Sequence, residues 1–178
     1  MQSLVTIILV AVGLSMDAFS LSILYGTLGL SKKRVASLSL VVGIFHFFMP
    51  LFGSAIGAAL LHFLSVDQDL IVGIIFMIIA IEMIMSTSKE EEVMNIVGLG
   101  SLLLFGFTVS IDSFSVGIGL AAISSNYLLV VSIFSMISAC FTFLGLIIGN
   151  KLNDKFGAIS TWIGSIILIG LAIIYIFN

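Results

Sequence analysis

Two short segments of the chain carry an acid where an acid is costly. Ser15-Met16-Asp17-Ala18-Phe19-Ser20 and Ser110-Ile111-Asp112-Ser113-Phe114-Ser115 repeat one pattern, sharing both serines, the aspartate and the phenylalanine. Ile23 and Ile118 extend the match. Both segments lie inside long apolar runs. An Asp near the centre of a bilayer costs roughly 2.5 to 3.5 kcal/mol, so such acids face a cavity or a partner. The apolar runs contain no Lys or Arg, so neither acid has an internal cationic partner. Two carboxylates sharing one site repel, and a bound cation or proton removes that repulsion. The chemistry this implies is cation transport, a proton cycle, or both.

The neighbouring residues suit oxygen coordination. Residues three and four apart share a helix face. Asp17 therefore shares its face with Ser20 and Gly13, and Asp112 with Ser115 and Thr108. Hydroxyls can ligate a cation, and the small residues equally serve as packing glue. Pro50, the single proline, cannot donate to the carbonyl four residues back, that of His46. The freed carbonyl lies beside the ring of the same residue, and interrupted helices supply such carbonyls to ion sites. The alternative is a plain kink with His46 bonded to a neighbour. Glu82 is a further acid in an apolar run, close enough to its end to reach water. Its counterpart in the second half lies near Ile173, so it falls outside the duplicated motif. Carboxylate, hydroxyl and carbonyl ligands suit hard divalent ions such as Mg²⁺, Mn²⁺ and Ca²⁺. With one Cys and no paired-His motif, a copper or thiolate-zinc exporter is disfavoured.

The elements that must position these groups are helices in lipid. Of 178 residues, 61% are hydrophobic and 8% charged, against roughly 25% charge in a soluble domain. The mean hydropathy is +1.37. A helix needs about 20 apolar residues to cross the bilayer core. Six stretches are predicted, roughly 3–25, 35–60, 70–86, 97–121, 127–149 and 158–177. Strand-type alternation is lacking, which excludes a transmembrane barrel. All six basic residues, Lys32, Lys33, Arg34, Lys89, Lys151 and Lys155, fall in connections on one side. By the positive-inside rule that side is cytoplasmic, and both termini face outward. The acids Glu90, Glu91 and Glu92 share the cytoplasmic side and weigh little in this rule.

The repeated motif opens in the first and fourth helices. Gly53-Ser54-Ala55-Ile56-Gly57 in the second is echoed by Gly145-Leu146-Ile147-Ile148-Gly149 in the fifth. The expected architecture is an all-α membrane protein, six transmembrane helices as an inverted 3+3 repeat. It forms a single transmembrane domain over 1–178, with halves roughly 1–88 and 97–178 joined by the acidic cytoplasmic loop. At 1.5 Å per residue, Asp17 and Asp112 each lie about 20 Å from where their helices enter the membrane, from opposite sides. The expectation is one cation held by both acids near the midplane.

Other functions lack their signatures. No basic patch suits nucleic acid, no phosphate-binding loop is present, and no positive segment precedes the first apolar run as a cleaved signal requires. Cys140 alone cannot form an intrachain disulfide. Export of another solute would need groups for its own charges, and no internal Lys or Arg is available. An intramembrane enzyme using two Asp as acid and base would not need an inverted duplication, whereas alternating access does.

At the segments Gly13-Leu14-Ser15-Met16-Asp17-Ala18-Phe19 and Ser110-Ile111-Asp112-Ser113-Phe114-Ser115-Val116-Gly117 the chain resembles the manganese efflux pump family MntP. Met49-Pro50-Leu51-Phe52-Gly53 resembles that family's helix-two motif. The likeness covers the whole chain, including its length and six-helix plan. It implies an inner-membrane exporter, with Mn²⁺ as substrate, no resident cofactor, Asp17 and Asp112 as the central acids, and a functional glycine at Gly26. Two positions depart from the family's pattern: His46, where many members have an acid or amide, and Glu82, where some have a basic residue. A related membrane family linked to sporulation shares similar Asp motifs.

Overall fold

The structure is a computed structural model that describes residues 4–63, 68–86, 98–123, 126–151 and 155–177. It is an all-α bundle of six helices: α1 (Leu4–Gly26), α2 (Lys32–Phe63), α3 (Gln68–Ser86), α4 (Leu99–Ile123), α5 (Tyr127–Gly149) and α6 (Lys155–Phe177). Each expected stretch is a helix. The largest changes are at the starts of α2 and α6, which begin at basic residues ahead of the apolar run, and at the end of α2, which runs on to Phe63. Hydropathy marks only the part of a helix in lipid, while backbone hydrogen bonding continues into the polar zone. Among the described residues, α1, α2, α4, α5 and α6 contain segments long and apolar enough to cross a membrane, and α3 is not one of these. The chain is a multi-pass membrane protein. Lys89 and the acids Glu90, Glu91 and Glu92 lie outside the described residues.

Local chemistry explains two of the connections. After α1 the amides of Thr27, Leu28 and Gly29 bond back to the carbonyls of Leu24, Tyr25 and Gly26. Gly29 then takes a φ of 64°, which reverses the chain without a Cβ clash. Asn126 caps α5 by accepting from the Leu129 amide.

The tightest packing joins helices distant in sequence. α2 lies along α4 and α1 along α5, α2 crosses α5, and α3 packs on α6. α1 also meets α6, α3 meets α4, and α1 and α4 touch only briefly. In lipid no hydrophobic drive presses helices together, so close backbone approach and interhelical polar contacts must do it. Glycines make that approach possible. A Cβ added at Gly53 or Gly57 of α2 would collide with the carbonyl oxygens of Phe114 or Ile118 on α4. A Cβ at Gly145 or Gly149 of α5 would collide with those of Phe19 or Ile23 on α1.

Two apolar clusters fill the rest. One, around Phe76, Phe134 and Leu168, ties α3 and α6 to the bundle. The other holds Tyr25 edge-on to Phe105, ring centroids 4.6 Å apart, with Leu38 and Val42 beside them. Phe48, Phe52, Ile166 and Ile174 point outward, as suits a lipid-facing surface.

Candidate functional site

The motif helices α1 and α4 are held by matched polar contacts. Ser15 on α1 donates to its own Ala11 carbonyl at 2.6 Å and meets Ser138 Oγ on α5 at 2.8 Å. Ser110 on α4 donates to its own Gly106 carbonyl at 2.7 Å and meets His46 Nδ1 on α2 at 2.8 Å. The four side chains are buried. His46 Nδ1 also lies 3.0 Å from the Val42 carbonyl. α2 and α5 are bonded where they cross, Ser135 Oγ donating to the Gly43 carbonyl at 2.8 Å.

Ser15 and Ser110 stand two residues before the aspartates. Two residues on a helix is more than half a turn, so each Asp looks away from its serine's seam. Gly13, one turn before Asp17, faces α6, where a Cβ would meet Ile167 and Leu168 at 3.3 Å. Gly119, two turns after Asp112, faces Ile75 and Val72 of α3. Both aspartates are half-buried. Glu82 on α3 is exposed and lies within electrostatic range of Asp112 on α4. Nothing in the sequence linked those two acids, because Glu82 stands near the end of its own apolar run.

The remaining expected residues divide. Ser20 and Ser115 are half-buried beside their aspartates, as helical spacing required, whereas Thr108 is exposed. Gly26 is buried against the end of α5, where a Cβ would come to 2.5 Å from the Leu146 carbonyl oxygen. His46 is buried and bonded to a neighbour, Ser110 across the seam, as the alternative reading of this residue held. α2 runs unbroken through Pro50, whose backbone rests on Gly117 of α4. Among the described residues no group of three or more His, Cys, Asp or Glu is gathered to hold a metal. The two helices that carry these acids touch only briefly.

Sequence reasoning passed over Ser15, Ser110 and Ser138 as contact residues. It passed over Ser113 as a ligand candidate and did not notice Thr142. The hydroxyls of Ser113 and Thr142 are fully buried and have no hydrogen-bond partner. The signal for the first pair was present, since both motif copies keep that serine.

Comparison with known proteins fixes the family. A model of the Mntp family, described as "Putative manganese efflux pump", matches residues 29–176. A Bacillus pumilus protein named "Putative manganese efflux pump MntP" is 35% identical over 98% of this chain and 95% of its own. Proteins of the same name from Bacillus velezensis and Oceanobacillus iheyensis are 39% and 34% identical, over 94% and 99% of this chain and 91% and 98% of theirs. The chain belongs to the MntP family. That membership makes it a membrane transporter of the MntP type rather than an enzyme. No solved structure matches it. The MntP match spans the α2/α4 seam in full, with His46, Pro50, Ser110 and Asp112 inside the matched residues.

Proposed function

We propose that this MntP-type transporter exports Mn²⁺ from the cytoplasm across the plasma membrane, exchanging it for protons through Asp17 and Asp112. The observation that carries the reading is the correspondence between the two motif seams. Gly53 and Gly57 meet Phe114 and Ile118, and Gly145 and Gly149 meet Phe19 and Ile23, their counterparts in the repeat. Ser110 bonds His46, and Ser15 bonds Ser138, which stands at the place of His46 in the other half. Exchanging α1 with α4, α2 with α5 and α3 with α6 turns the set of helix pairings into itself. These equivalences support two inverted halves of three helices, within one domain, that swap roles as the path opens to either side.

In that scheme the motif serines and glycines hold the seams together, and the aspartates meet the cation. Two carboxylates that give up two protons for one divalent ion would make the exchange electroneutral. The basic residues Lys32, Lys33, Arg34, Lys151 and Lys155 mark the cytoplasmic side, and both termini lie outside. The printed names of the relatives support manganese as the ion. The deciding experiment measures cellular manganese and manganese sensitivity in cells with and without the protein. Equal manganese content and equal sensitivity would overturn the proposal.

A further inference from the structure

The two seams meet one packing demand with different residues. In the α1/α5 seam a hydroxyl, Ser138 Oγ, suffices to hold Ser15. In the α2/α4 seam His46 does the same for Ser110 through Nδ1. The hydrogen positions follow from the partners. Ser110 commits its single proton to the Gly106 carbonyl, and the Val42 carbonyl beside Nδ1 can only accept. Nδ1 therefore carries the ring proton and shares it between Val42 and Ser110. In the neutral ring Nε2 then holds the lone pair. A ring locked through one N–H to a backbone carbonyl is the arrangement in which histidine ligates a metal through its other nitrogen. Packing here needs one polar atom, as Ser138 shows, so Nε2 is surplus to it.

A second observation lies in the same seam. Ser113 stands one turn beyond Ser110 and one turn before Gly117, on the side of α4 that faces α2. Its hydroxyl is fully buried and has no partner, although an unpaired hydroxyl is costly away from water. Pro50 also withholds the amide that the His46 carbonyl would accept from in a regular helix. His46 and Ser113 thus stand on the facing sides of α2 and α4, each within about one turn of the Ser110 contact, and Ser113 is the immediate chain neighbour of Asp112.

We propose that the α2/α4 seam is a cation subsite on the path to Asp112, with His46 Nε2 as its nitrogen ligand and Ser113 Oγ as an oxygen ligand. The inference rests on the cation-transport reading and adds a source of selectivity to it. Imidazole favours first-row transition ions, whereas Mg²⁺ and Ca²⁺ keep to oxygen. A path lined by carboxylates and hydroxyls alone would discriminate poorly against Mg²⁺.

The test uses the purified, tag-free full chain with Mn²⁺ as the probe, read by electron spin-echo modulation, which detects nitrogen bonded to the ion. The chain has two histidines, so His62→Gln serves as the control. Nitrogen modulation is expected in the parent and in His62→Gln and should vanish in His46→Ser, which keeps a hydroxyl for Ser110. In membrane vesicles, His46→Ser should lose about tenfold or more of its preference for Mn²⁺ over Mg²⁺, and Ser113→Ala a smaller share. Modulation that persists in His46→Ser, or is absent from a parent saturated with Mn²⁺, overturns the subsite. So does unchanged selectivity in a His46→Ser protein that melts like the parent. A parent that binds no Mn²⁺ at all brings down the cation reading itself, and the subsite with it.

Discussion

The glycine seams make a prediction whose size can be worked out. A Cβ at Gly149 would lie 2.7 Å from the carbonyl carbon of Ile23, and nearer still to its oxygen, where ordinary contact begins at 3.4 Å. The obstacle is backbone, so no side chain can turn aside, and the seam must open by at least about 0.7 Å. A gap of that size forfeits roughly a quarter to a half of the dispersion energy between the atoms it separates. Overpacking of this kind costs roughly 1 to 3 kcal/mol, and a backbone clash belongs at the upper end. Alanine returns at most about 1 kcal/mol through helix propensity. Gly149→Ala should therefore lose about 2 kcal/mol, a factor of roughly thirty in the folded-to-unfolded ratio. Gly57→Ala, which meets Ile118 in the other seam, should lose a similar amount. Gly170 on α6 has nothing within 4 Å of an added Cβ, so Gly170→Ala should be neutral or slightly stabilising. Unfolding in mixed micelles with increasing dodecyl sulfate, followed by helix content, measures all three. If Gly149→Ala unfolds at the same midpoint as Gly170→Ala, the close-approach account is wrong. If Gly57→Ala and Gly149→Ala differ widely, the equivalence of the seams is wrong.

Three further outcomes test the transport reading. Asp17→Asn and Asp112→Asn should each abolish manganese export while leaving the protein in the membrane, because Asn keeps the shape and removes the charge; a variant that protects cells as well as the parent does shows that its Asp is structural. The double Asn variant, assayed for Mn²⁺ binding on purified protein, should be scarcely worse than either single one if both acids hold one ion, whereas losses that simply add assign them to separate sites. Reporters fused within 29–34 should report the cytoplasm and those within 62–69 the outside, and the reverse result would refute the orientation.

The helices were legible because lipid sets a length. Runs of apolar residues gave the number of helices and nearly their ends; the starts of α2 and α6 moved where basic residues continue the helix into the polar zone, and the end of α2 ran on to Phe63. The echo of Gly53 and Gly57 in Gly145 and Gly149 was readable as repetition, but repetition does not say what a glycine touches. The polar seams were harder. A serine in an apolar helix can satisfy itself on the carbonyl four residues back, as Ser15 and Ser110 both do, so spacing alone does not predict a partner on another helix. The equivalence of His46 and Ser138 was hidden because the residue types differ. Thr108 shows the limit of helical spacing: it shares the face of Asp112, yet nothing covers that face one turn earlier. Glu82 was weighed by its distance from a helix end, whereas the packing of α3 on α4 brings it within range of Asp112.

Packing and chemistry follow different symmetries in this molecule, and the difference bears on how an exporter could be built. A carrier that alternates between two faces needs two states within a few kcal/mol of each other, or one face would stay shut. Seams of equal construction serve that end, since each state can exchange like contacts for like. Gly53 against Phe114 and Gly145 against Phe19 are such a pair. Direction and selectivity need the opposite, a distinction between the halves. The residues that break the equivalence are those with ligand or helix-breaking chemistry: His46 opposite Ser138, Pro50 opposite Thr142, and Glu82 opposite Ile173. Of these, His46 and Pro50 line the α2/α4 seam, and Glu82 stands on α3, which also packs on α4. The departures thus lie on α2 and α3, the two helices of the first half that pack on α4. On this argument the α2/α4 seam of His46 and Ser110 carries the distinction between the halves, and the plainer α1/α5 seam of Ser15 and Ser138 does not.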